Sequence, residues 1–485
     1  MSLRRSRSLL LTDLFRLIVL LLVAILVGPA FAQSPAGTAG RPNFLLILSD
    51  DQRHDTMDYM PRTKAHIFGE GVSFPNAYIT TPLCCPSRSS ILTGMYAHKH
   101  GVRLNPIPLQ KETFVQQLKK AGYFTGQVGK YLNSWDGSAR PEFDVWAAGP
   151  GGTARYFNPR MNINGTWNEQ EGYLTHILRD YALDFLRRAA QQDKPFVLLF
   201  SPNAPHFAYA PGIGQPQGPL DLEFFLRPPE PAPGDERLHA NLRPHRPPSF
   251  NRKDSAKPHW LGTLPPLTPD LIARVDDFRR KQLQTLEALD QAVESLLSAL
   301  AAQGKLDETV VVYLADNGHF WGEHGIAWGK NAVYEEASRV PFAVRYPRLA
   351  SRPRVETRLV ANIDIAPTFY ELAGLPIPPE VDGRSLVPLL DSASAQAAPA
   401  AGWRDELLIE GWVGEAALKL GWAPYAAIHT GRYVYVETEG DRSELYDLAT
   451  DPHQQHNQAE NPAHASVVAD LKARLKRLRP AFAEK

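Results

Sequence analysis

The sequence predicts an α/β protein: a large mixed, mostly parallel β-sheet flanked by helices, followed by a small C-terminal antiparallel sheet with one helix. Two observations predict the main sheet. Three separate apolar runs each end in a group of polar residues, and a long amphipathic segment lies between the last two runs. Continuous apolar runs of this length are typical of strands buried on both faces, as parallel strands are. A chain of 485 residues is also longer than one core usually supports, so a smaller second part is expected.

The three predicted strands deliver polar side chains to the same edge of the sheet. The runs and the polar residues that follow them are 43–48 with Asp50 and Asp51, 196–200 with His206, and 310–315 with Asp316 and Asn317. In open α/β sheets, ligands bind just beyond the carboxyl ends of the strands. We therefore expect these polar residues to meet in one site.

The segment between the last two strands is predicted to be a helix that crosses over the sheet. Its apolar residues recur at three- and four-residue spacings from Phe278 to Leu300, and Gly304 ends the pattern. Residues 202–268 are rich in proline and lack periodicity, which predicts a long ordered loop on the side of the site.

The C-terminus is predicted to form the smaller part. Residues 391–402 are a candidate linker between a main domain of residues 41–390 and a C-terminal α+β part of residues 403–485. The elements predicted in the C-terminal part are strands at 406–409, 432–437 and 444–448 and a helix at 463–478.

The first 32 residues have the pattern of a secretory signal peptide. Arg4, Arg5 and Arg7 precede an apolar run over residues 17–27, and Ala30-Phe31-Ala32 is a small-x-small cleavage site. The run is shorter than the ~20 residues that a membrane-spanning helix needs, so cleavage is expected rather than an uncleaved anchor. We therefore expect an exported protein, periplasmic or secreted, that has no membrane attachment after cleavage.

The overall charge favours no polyanionic partner. Lys and Arg number 52, equal to the 52 Asp and Glu, so no net field would attract nucleic acid or an anionic membrane. Any binding of anions must depend on local charge.

The two cysteines of the chain, Cys84 and Cys85, are adjacent. Exported proteins normally use cysteines in disulfides, but sequence neighbours can bridge only through a strained ring. Pro86 and the apolar periodicity that follows predict a helix whose free N–H groups face Cys84, an arrangement that favours a negatively charged group. Arg88, one turn into this helix, adds a fixed positive charge.

A divalent cation is predicted beside these cysteines. Asp50, Asp51, Asp316 and the amide oxygen of Asn317 are hard oxygen donors, which suit calcium or magnesium rather than zinc. One aspartate after a strand is usually a turn or helix cap. Four such donors after two strands favour the cation site.

The motif around Cys84 resembles the signature of the type I sulfatases, members of the alkaline phosphatase-like superfamily. The matching residues are Cys84, Pro86, Ser87 and Arg88, followed by Leu92-Thr93-Gly94. Further positions match in the order that the family has, namely Asp50-Asp51, Gly129-Lys130, His206, Asp316-Asn317 and Gly329-Lys330. The resemblance extends from residue 43 to about residue 460, because residues 444–452 match the closing segment of the family.

This resemblance implies a mechanism. A formylglycine-generating enzyme would oxidise Cys84 to formylglycine (3-oxoalanine), whose hydrate attacks the sulfur of a sulfate ester and forms a covalent sulfo-enzyme intermediate. The residue at 84 and four others, Asp50, Asp51, Asp316 and Asn317, would hold one calcium ion. Arg88, Lys130 and Lys330 would offset the charge of the sulfate, and His206 would donate a proton or contact the substrate.

One position departs from the family pattern. Many members have a histidine where this chain has Leu132, and that histidine assists the second chemical step. Four other histidines are candidates to replace it, each with a structural role as the alternative: His98, His100, His319 and His324.

The substrate is expected to be a sulfated sugar such as N-acetylglucosamine 6-sulfate. The paired cysteines and residues 129–133, 248–251 and 257–260 resemble the branch of N-acetylglucosamine-6-sulfatases and extracellular heparan 6-sulfatases. Asn317, where a histidine is the alternative, resembles sulfatases more than phosphonate monoester hydrolases. Other hypotheses are an aryl or alkyl sulfatase, a phosphodiesterase of the same fold, or a non-catalytic binder of sulfated glycans if Cys84 stays unmodified. A metal-handling protein that uses Cys84 and Cys85 lacks further cysteine ligands.

Overall fold

The central sheet contains ten strands in the part of the chain that the computed structural model describes, residues 40–151, 155–208, 227–391, 402–419 and 421–479. These strands are β1 (Asn43–Ser49), β2 (Val72–Ser73), β4 (Phe124–Gly129), β5 (Val145–Ala148), β6 (Arg160–Ile163), β7 (Thr166–Glu169), β8 (Phe196–Ser201), β9 (Thr309–Ala315), β10 (Phe342–Arg345) and β11 (Arg354–Val355). Their order across the sheet is β11-β2-β10-β9-β1-β8-β4-β5-β6-β7. The central strands β9, β1, β8, β4 and β5 are parallel, as predicted, while β6, β7 and β10 pair antiparallel with their neighbours.

The helices of seven or more residues in the described ranges are α1 (Cys84–Thr93), α2 (Phe114–Lys120), α3 (Leu174–Ala189), α4 (Pro269–Ala302), α5 (Ile365–Leu372) and α6 (Ala465–Leu478). Shorter helical segments are His54–Tyr59, Pro61–Thr63, Lys64–Phe68, Ala97–His100, Asp235–Arg237, His259–Gly262, Leu306–Glu308, Glu335–Ser338, Asn362–Asp364, Val387–Leu390, Glu415–Leu418 and Pro462–His464. The crossover helix predicted between the last two strands is α4. The side chain of Thr268 caps its start, and Pro269 occupies the first turn, where the missing N–H of proline costs nothing.

The sheet is buried on both faces. In β1, Leu45 and Ile47 belong to one apolar cluster, while Phe44 and Leu46 belong to another, because successive side chains of a strand point to opposite faces. Residues of α3 and α4 complete the first cluster, and residues of α1, α2 and α5 complete the second. Burying one such side chain stabilises the fold by about 1.5–3 kcal/mol, so the two clusters stabilise the sheet whose edge carries the polar residues.

The predicted C-terminal sheet is present. It is antiparallel, with the order β13 (Leu407–Gly411), β14 (Tyr425–His429), β15 (Tyr433–Thr438) and β16 (Glu444–Asp447). Leu471 and Leu475 of α6 pack against Leu408 and Ile428 of this sheet. Strand β14 was not predicted, because its alanines weaken the apolar pattern. A further pair of short strands, β3 (Ala77–Tyr78) and β12 (Val360–Ala361), lies outside both sheets.

The described chain from Arg41 onward forms one compact unit, so the division near residue 390 stays a prediction. The predicted signal segment lies outside the described residues, as does most of the predicted linker. Among the helices that the structure describes, none combines the length and apolarity that crossing a bilayer requires. The irregular loop predicted over 202–268 is confirmed for its described part, which has only short helical turns.

Candidate active site

Four neighbouring strands end at the candidate site. β1 lies between β9 and β8, and β4 lies on the other side of β8. The residues that follow these strands are Asp50 and Asp51 after β1, Asp316 and Asn317 after β9, the loop with His206 after β8, and Lys130 after β4. The structure therefore brings together residues that are up to about 270 positions apart in the sequence, as the strand-end argument predicts.

A glycine makes the turn from β4 to Lys130 possible. Gly129 has a φ of +108°, and a Cβ at this position would lie 2.1 Å from the carbonyl oxygen of Ser201. The backbone N–H of Lys130 donates to that same oxygen at 2.7 Å. Because only glycine tolerates both the positive φ and the close approach, residue 129 fixes where Lys130 leaves the sheet.

Helix α1 begins at Cys84 itself, two residues before Pro86, near which its start was predicted. Leu83 precedes it in an extended conformation and offers no side-chain cap. Arg88 lies one turn into the helix, where it donates from Nε to Asp316 Oδ2 at 2.8 Å and from Nη1 to the carbonyl of Lys130 at 2.9 Å. Its Nη2 group is buried and makes no hydrogen bond to any described residue; its nearest ion-pair partner is Asp50 Oδ1 at 3.9 Å, which leaves hydrogen-bonding capacity for an anion.

Three cationic side chains balance three carboxylates around Cys84. Lys130 Nζ donates to both carboxylate oxygens of Asp50, at 2.9 and 2.7 Å. Lys330 Nζ contacts Asp51 and lies 2.9 Å from Cys84 Sγ. Since Asp50, Asp51, Cys84 and Lys130 are buried and Lys330 is only slightly exposed, their mutual attraction is screened little by solvent.

The burial and the charges shift the pKa values of the site. Burial raises the pKa of the Cys84 thiol to about 11, although Lys130 and Lys330 oppose the shift. Burial also acts to raise the pKa of Asp51, but Lys330 and His206 outweigh it and lower the value to about 2. At neutral pH the site therefore holds a neutral thiol beside ionised carboxylates.

His206 lies close to the carboxylates. Its Nε2 is 3.7 Å from Asp51 Oδ2, and its Nδ1 is 3.0 Å from the carbonyl oxygen of Phe207. Burial lowers the pKa of His206, while Asp50 and Asp51 oppose the shift. Both ring nitrogens therefore have defined neighbours, and the lowered pKa favours a neutral imidazole.

The residues present fit a hard divalent cation. Ligand atoms of Asp50, Asp51, Cys84 and His206 all lie within 4.8 Å of one another. Asn317 Oδ1 is buried and has no hydrogen-bond partner among the described residues, as expected of an oxygen that is to face a cation. Asp51 has a φ of 62°, a left-handed backbone conformation that is uncommon for residues other than glycine.

The four alternative histidines all have structural partners. Leu132, at the position where many members of the resembled family have a histidine, is buried in the apolar cluster on one face of the sheet. The partners are Glu410 for His98, Ser90 for His100, the backbone N–H of Gly329 for His319, and Glu336 for His324. Burial lowers the pKa of His100 to about 3 and that of His319 to about 4, so both rings are neutral over the physiological range.

Sequence reasoning missed a buried ion pair next to the site. Arg53 Nη1 donates to Glu323 Oε1 at 2.8 Å and to the carbonyl of His319 at 3.0 Å, and its guanidinium lies 4.2 Å from the centroid of the Trp321 ring. His245 Nε2 lies 2.9 Å from the same oxygen of Glu323. The cluster ties the segments after β1 and β9 to the loop that follows β8. No sequence pattern marks it, because its members are isolated polar residues in irregular segments.

Replacing Glu323 by glutamine is expected to remove about 3 kcal/mol of stability at pH 7. Burial raises the pKa of Glu323, but Arg53 and His245 outweigh it and lower the value from 4.5 to about 2, and each pKa unit corresponds to about 1.4 kcal/mol. This contribution is present in full above pH 4.5 and is lost as the pH falls toward 2. Chemical denaturation at several pH values measures it.

The matched control is Glu415→Gln, because Glu415 is exposed and pairs with Lys419 at 3.0 Å. Solvent-exposed ion pairs contribute about 0–1 kcal/mol to the free energy of unfolding. An equal loss of unfolding free energy in both variants would contradict the role of the buried pair. The same conclusion would follow if the stability of Glu323→Gln fell as steeply in acid as that of the parent.

Comparison with known proteins gives the family. A family model described as Sulfatase matches residues 42–375, which is more than half of the chain. The chain belongs to the sulfatase family. A second model, described as N-sulphoglucosamine sulphohydrolase, C-terminal, matches residues 322–481 of this sulfatase-family chain. The resemblance predicted from the motif at Cys84 is therefore confirmed.

Two relatives belong to the predicted branch. An extracellular sulfatase SULF-1 homologue of Drosophila melanogaster is 35% identical over 393 residues, which cover 76% of this chain and 33% of the relative. The N-acetylglucosamine-6-sulfatase of Homo sapiens is 32% identical over 421 residues, which cover 80% of this chain and 71% of the relative. The chain thus spans only about a third of the length of the insect protein.

A solved structure shares the fold. A protein in complex with its substrate D-glucosamine-2-N,6-O-disulfate superimposes with a TM-score of 0.73 at 25% identity, over 91% of this chain and 98% of the other. The predicted alkaline phosphatase-like architecture of the sulfatases is therefore confirmed for this chain.

Proposed function

We propose that this protein hydrolyses a sulfate ester on a sulfated amino sugar, such as N-acetylglucosamine 6-sulfate. The observation that carries the proposal is the position of Cys84, whose Sγ lies 2.9 Å from Lys330 Nζ and 3.9 Å from Asp50 Oδ1 in a buried group of oxygen donors and cations. Membership of the sulfatase family and the names of the relatives support the same reaction.

The environment of Cys84 supports its conversion to formylglycine. A thiol with a pKa of about 11 is a poor nucleophile at neutral pH. A neutral thiol is also a poor ligand for a hard cation, yet Cys84 lies among carboxylate oxygens. Oxidation by a formylglycine-generating enzyme would replace the sulfur with oxygen. The hydrated aldehyde would then supply a hydroxyl that attacks sulfur.

The oxygen donors support a calcium ion in the same site. Asp50, Asp51, Asp316 and Asn317 would hold it, together with the oxidised side chain at position 84. When bound, the ion would supply Lewis-acid stabilisation of the developing negative charge.

The other side chains of the site have separate proposed roles. Lys330 Nζ lies 2.9 Å from Cys84 Sγ, Lys130 Nζ donates to Asp50, and Arg88 Nη2 lies 3.9 Å from Asp50 Oδ1, so all three would offset charge on the sulfuryl oxygens. His206, whose Nε2 lies 3.7 Å from Asp51 Oδ2, would contact the substrate or, once protonated, donate a proton to the leaving alcohol. We also propose export through residues 1–32, which the extracellular naming of the relatives supports.

A panel of substrates tests the proposed function. The protein matured in its native host, with calcium present, is expected to hydrolyse N-acetylglucosamine 6-sulfate at an initial rate at least about tenfold above that for a nitrophenyl sulfate or a phosphodiester, because only the sugar can use the contacts beyond the sulfate. A faster rate on the phosphodiester would favour the alternative reaction. Absence of turnover on every sulfate ester would contradict the proposal.

A further inference from the structure

An open cavity is lined by residues of helix α4 and of the loop that follows β8. Its volume is about 580 Å³, within the range of about 300–1,000 Å³ that pockets for small molecules have. The lining includes Tyr59, His239 and three arginines, Arg237, Arg243 and Arg279, and it contains no aspartate or glutamate of the described chain. None of these residues has a role in the reaction proposed above.

Arg279 distinguishes this cavity from an ordinary basic surface, because its side chain is buried. The residue is only 9% exposed. Five arginines in the described ranges are buried to this degree, and four of them pair with a carboxylate: Arg53 with Glu323, Arg88 with Asp316, Arg345 with Asp307 and Arg479 with Glu410. Arg279 is the exception, since no carboxylate of the described chain forms an ion pair with it.

The acidic residues that influence Arg279 are paired with other arginines. Asp55 pairs with Arg53 at 2.9 Å, and Asp276 pairs with Arg246 at 2.6 Å. Burial lowers the pKa of Arg279, although the charges of Asp55 and Asp276 oppose the shift. Burying a charge without a counter-ion is costly, so a buried cation that lines a cavity favours an anionic ligand.

The contacts of Arg279 hold its guanidinium in place without neutralising it. Nη1 donates to the carbonyl oxygen of Arg243 at 3.0 Å, and the guanidinium lies 5.1 Å from the centroid of the Trp321 ring. An aromatic face stabilises a cation, but it is not a counter-ion. Only one of the five N–H groups of the guanidinium has an acceptor among the described residues, which leaves capacity for the oxygens of a ligand.

The cavity is close to the active site but does not share its residues. The ring of Trp321 contacts the guanidinium of Arg279 and also that of Arg53, which lies 4.2 Å from the ring centroid. Arg53 follows Asp51 by two residues. A ligand in the cavity would therefore lie near the segment after β1 without competing for the residues around Cys84.

We infer that this cavity binds an anionic sugar unit of a sulfated oligosaccharide, with Arg279 holding its sulfate or carboxylate. A planar guanidinium matches both oxyanions, since it can donate two parallel hydrogen bonds. Arg237 and Arg243 are exposed and would add charge at the rim, while Tyr59 would offer an aromatic face to the sugar ring. The choice of a sugar as carrier rests on the proposed function, whereas the anion site itself rests on Arg279.

The probe for this site is a tetrasaccharide of uronic acid and N-sulfoglucosamine that has no 6-sulfate, so that the proposed reaction leaves it intact. Isothermal titration of the mature protein measures its affinity. Arg279→Gln is expected to weaken binding at least about tenfold, on the scale of one hydrogen bond to a charged group. Arg243→Gln should weaken it by about threefold, because an exposed charge contributes less. The affinity of the parent should fall as salt is added.

Arg280→Gln is the matched control. Arg280 is the next residue of α4, pairs with Asp277 and does not line the cavity, so this variant should keep the affinity of the parent. Arg279→Gln should also keep the parent's melting temperature, because it loses no ion pair. Its kcat/KM on N-acetylglucosamine 6-sulfate should stay within about threefold of the parent, since this single sugar occupies the active site.

Unchanged affinity in Arg279→Gln, or an equal loss in Arg280→Gln, would overturn the inference. Inorganic sulfate that bound as tightly as the tetrasaccharide would overturn the assignment to a sugar and indicate a site for the free anion. A fall in both melting temperature and turnover in Arg279→Gln would show that the arginine is structural. Failure of the parent to hydrolyse any sulfate ester while it binds the tetrasaccharide would contradict only the proposed function.

Discussion

Replacing Cys84 by serine is expected to lower the turnover of every sulfate ester by on the order of 10³-fold or more, the scale on which loss of a covalent nucleophile acts. Serine has one hydroxyl, whereas a hydrated aldehyde has two, and the second is needed to release sulfate and restore the aldehyde. The substitution changes a buried sulfur to oxygen without changing the helix start at residue 84. Initial rates on N-acetylglucosamine 6-sulfate measure the effect.

The matched control is the neighbouring thiol. Cys85 is also buried, but its Sγ lies 3.5 Å from Ser134 Oγ on the apolar side of helix α1. Cys85→Ser should keep the rate within about threefold of the parent, a change of less than 1 kcal/mol. A Cys84→Ser protein as active as Cys85→Ser would show that residue 84 is not the nucleophile.

Asp51→Asn is expected to reduce activity by on the order of 10²–10³, the typical cost of one lost electrostatic contact in a site of this kind. Asparagine has nearly the same shape and tolerates the positive φ of 62° at this position, so the change removes charge rather than structure. The loss of one carboxylate should also weaken cation binding, since calcium affinity depends on ligand charge.

The measurement is the initial rate after chelation and titration with calcium. The parent protein should lose activity on chelation and regain it with calcium, whereas Asp51→Asn should need a higher calcium concentration. Asp58→Asn is the control, because Asp58 is exposed and pairs with Lys64 outside the site. If Asp51→Asn regained the rate of the parent at the same calcium concentration as the parent, the proposed cation site would be wrong.

The sequence predicted those parts of the site that follow unbroken apolar strands. Asp50, Asp316 and His206 come after β1, β9 and β8, whose buried runs are visible in the sequence because both faces of each strand need apolar side chains. Lys130 was predicted as a site residue only from the Gly129-Lys130 motif. Its strand β4 contains Gly126 and Gly129, which interrupt the run, and the need for Gly129 becomes visible only in its approach to Ser201.

Other features depend on contacts that no local pattern encodes. Arg53 and Glu323 are 270 positions apart and pair only because the segments after β1 and β9 meet. A cavity in the described part of the chain likewise combines Trp260 from the loop, Lys330 and Asn331 from the segment after β9, and Trp422 from the C-terminal part. Such sites follow from the packing of irregular segments, for which periodicity carries no information.

The central claim is that residue 84 is an aldehyde in a working sulfatase, and peptide mass analysis of the mature protein from its native host tests it most directly. The account predicts that the peptide containing residue 84 carries formylglycine at that position and an intact thiol at Cys85, in a preparation that hydrolyses N-acetylglucosamine 6-sulfate. An intact thiol at residue 84 in a preparation that hydrolyses the ester just as fast would contradict the account.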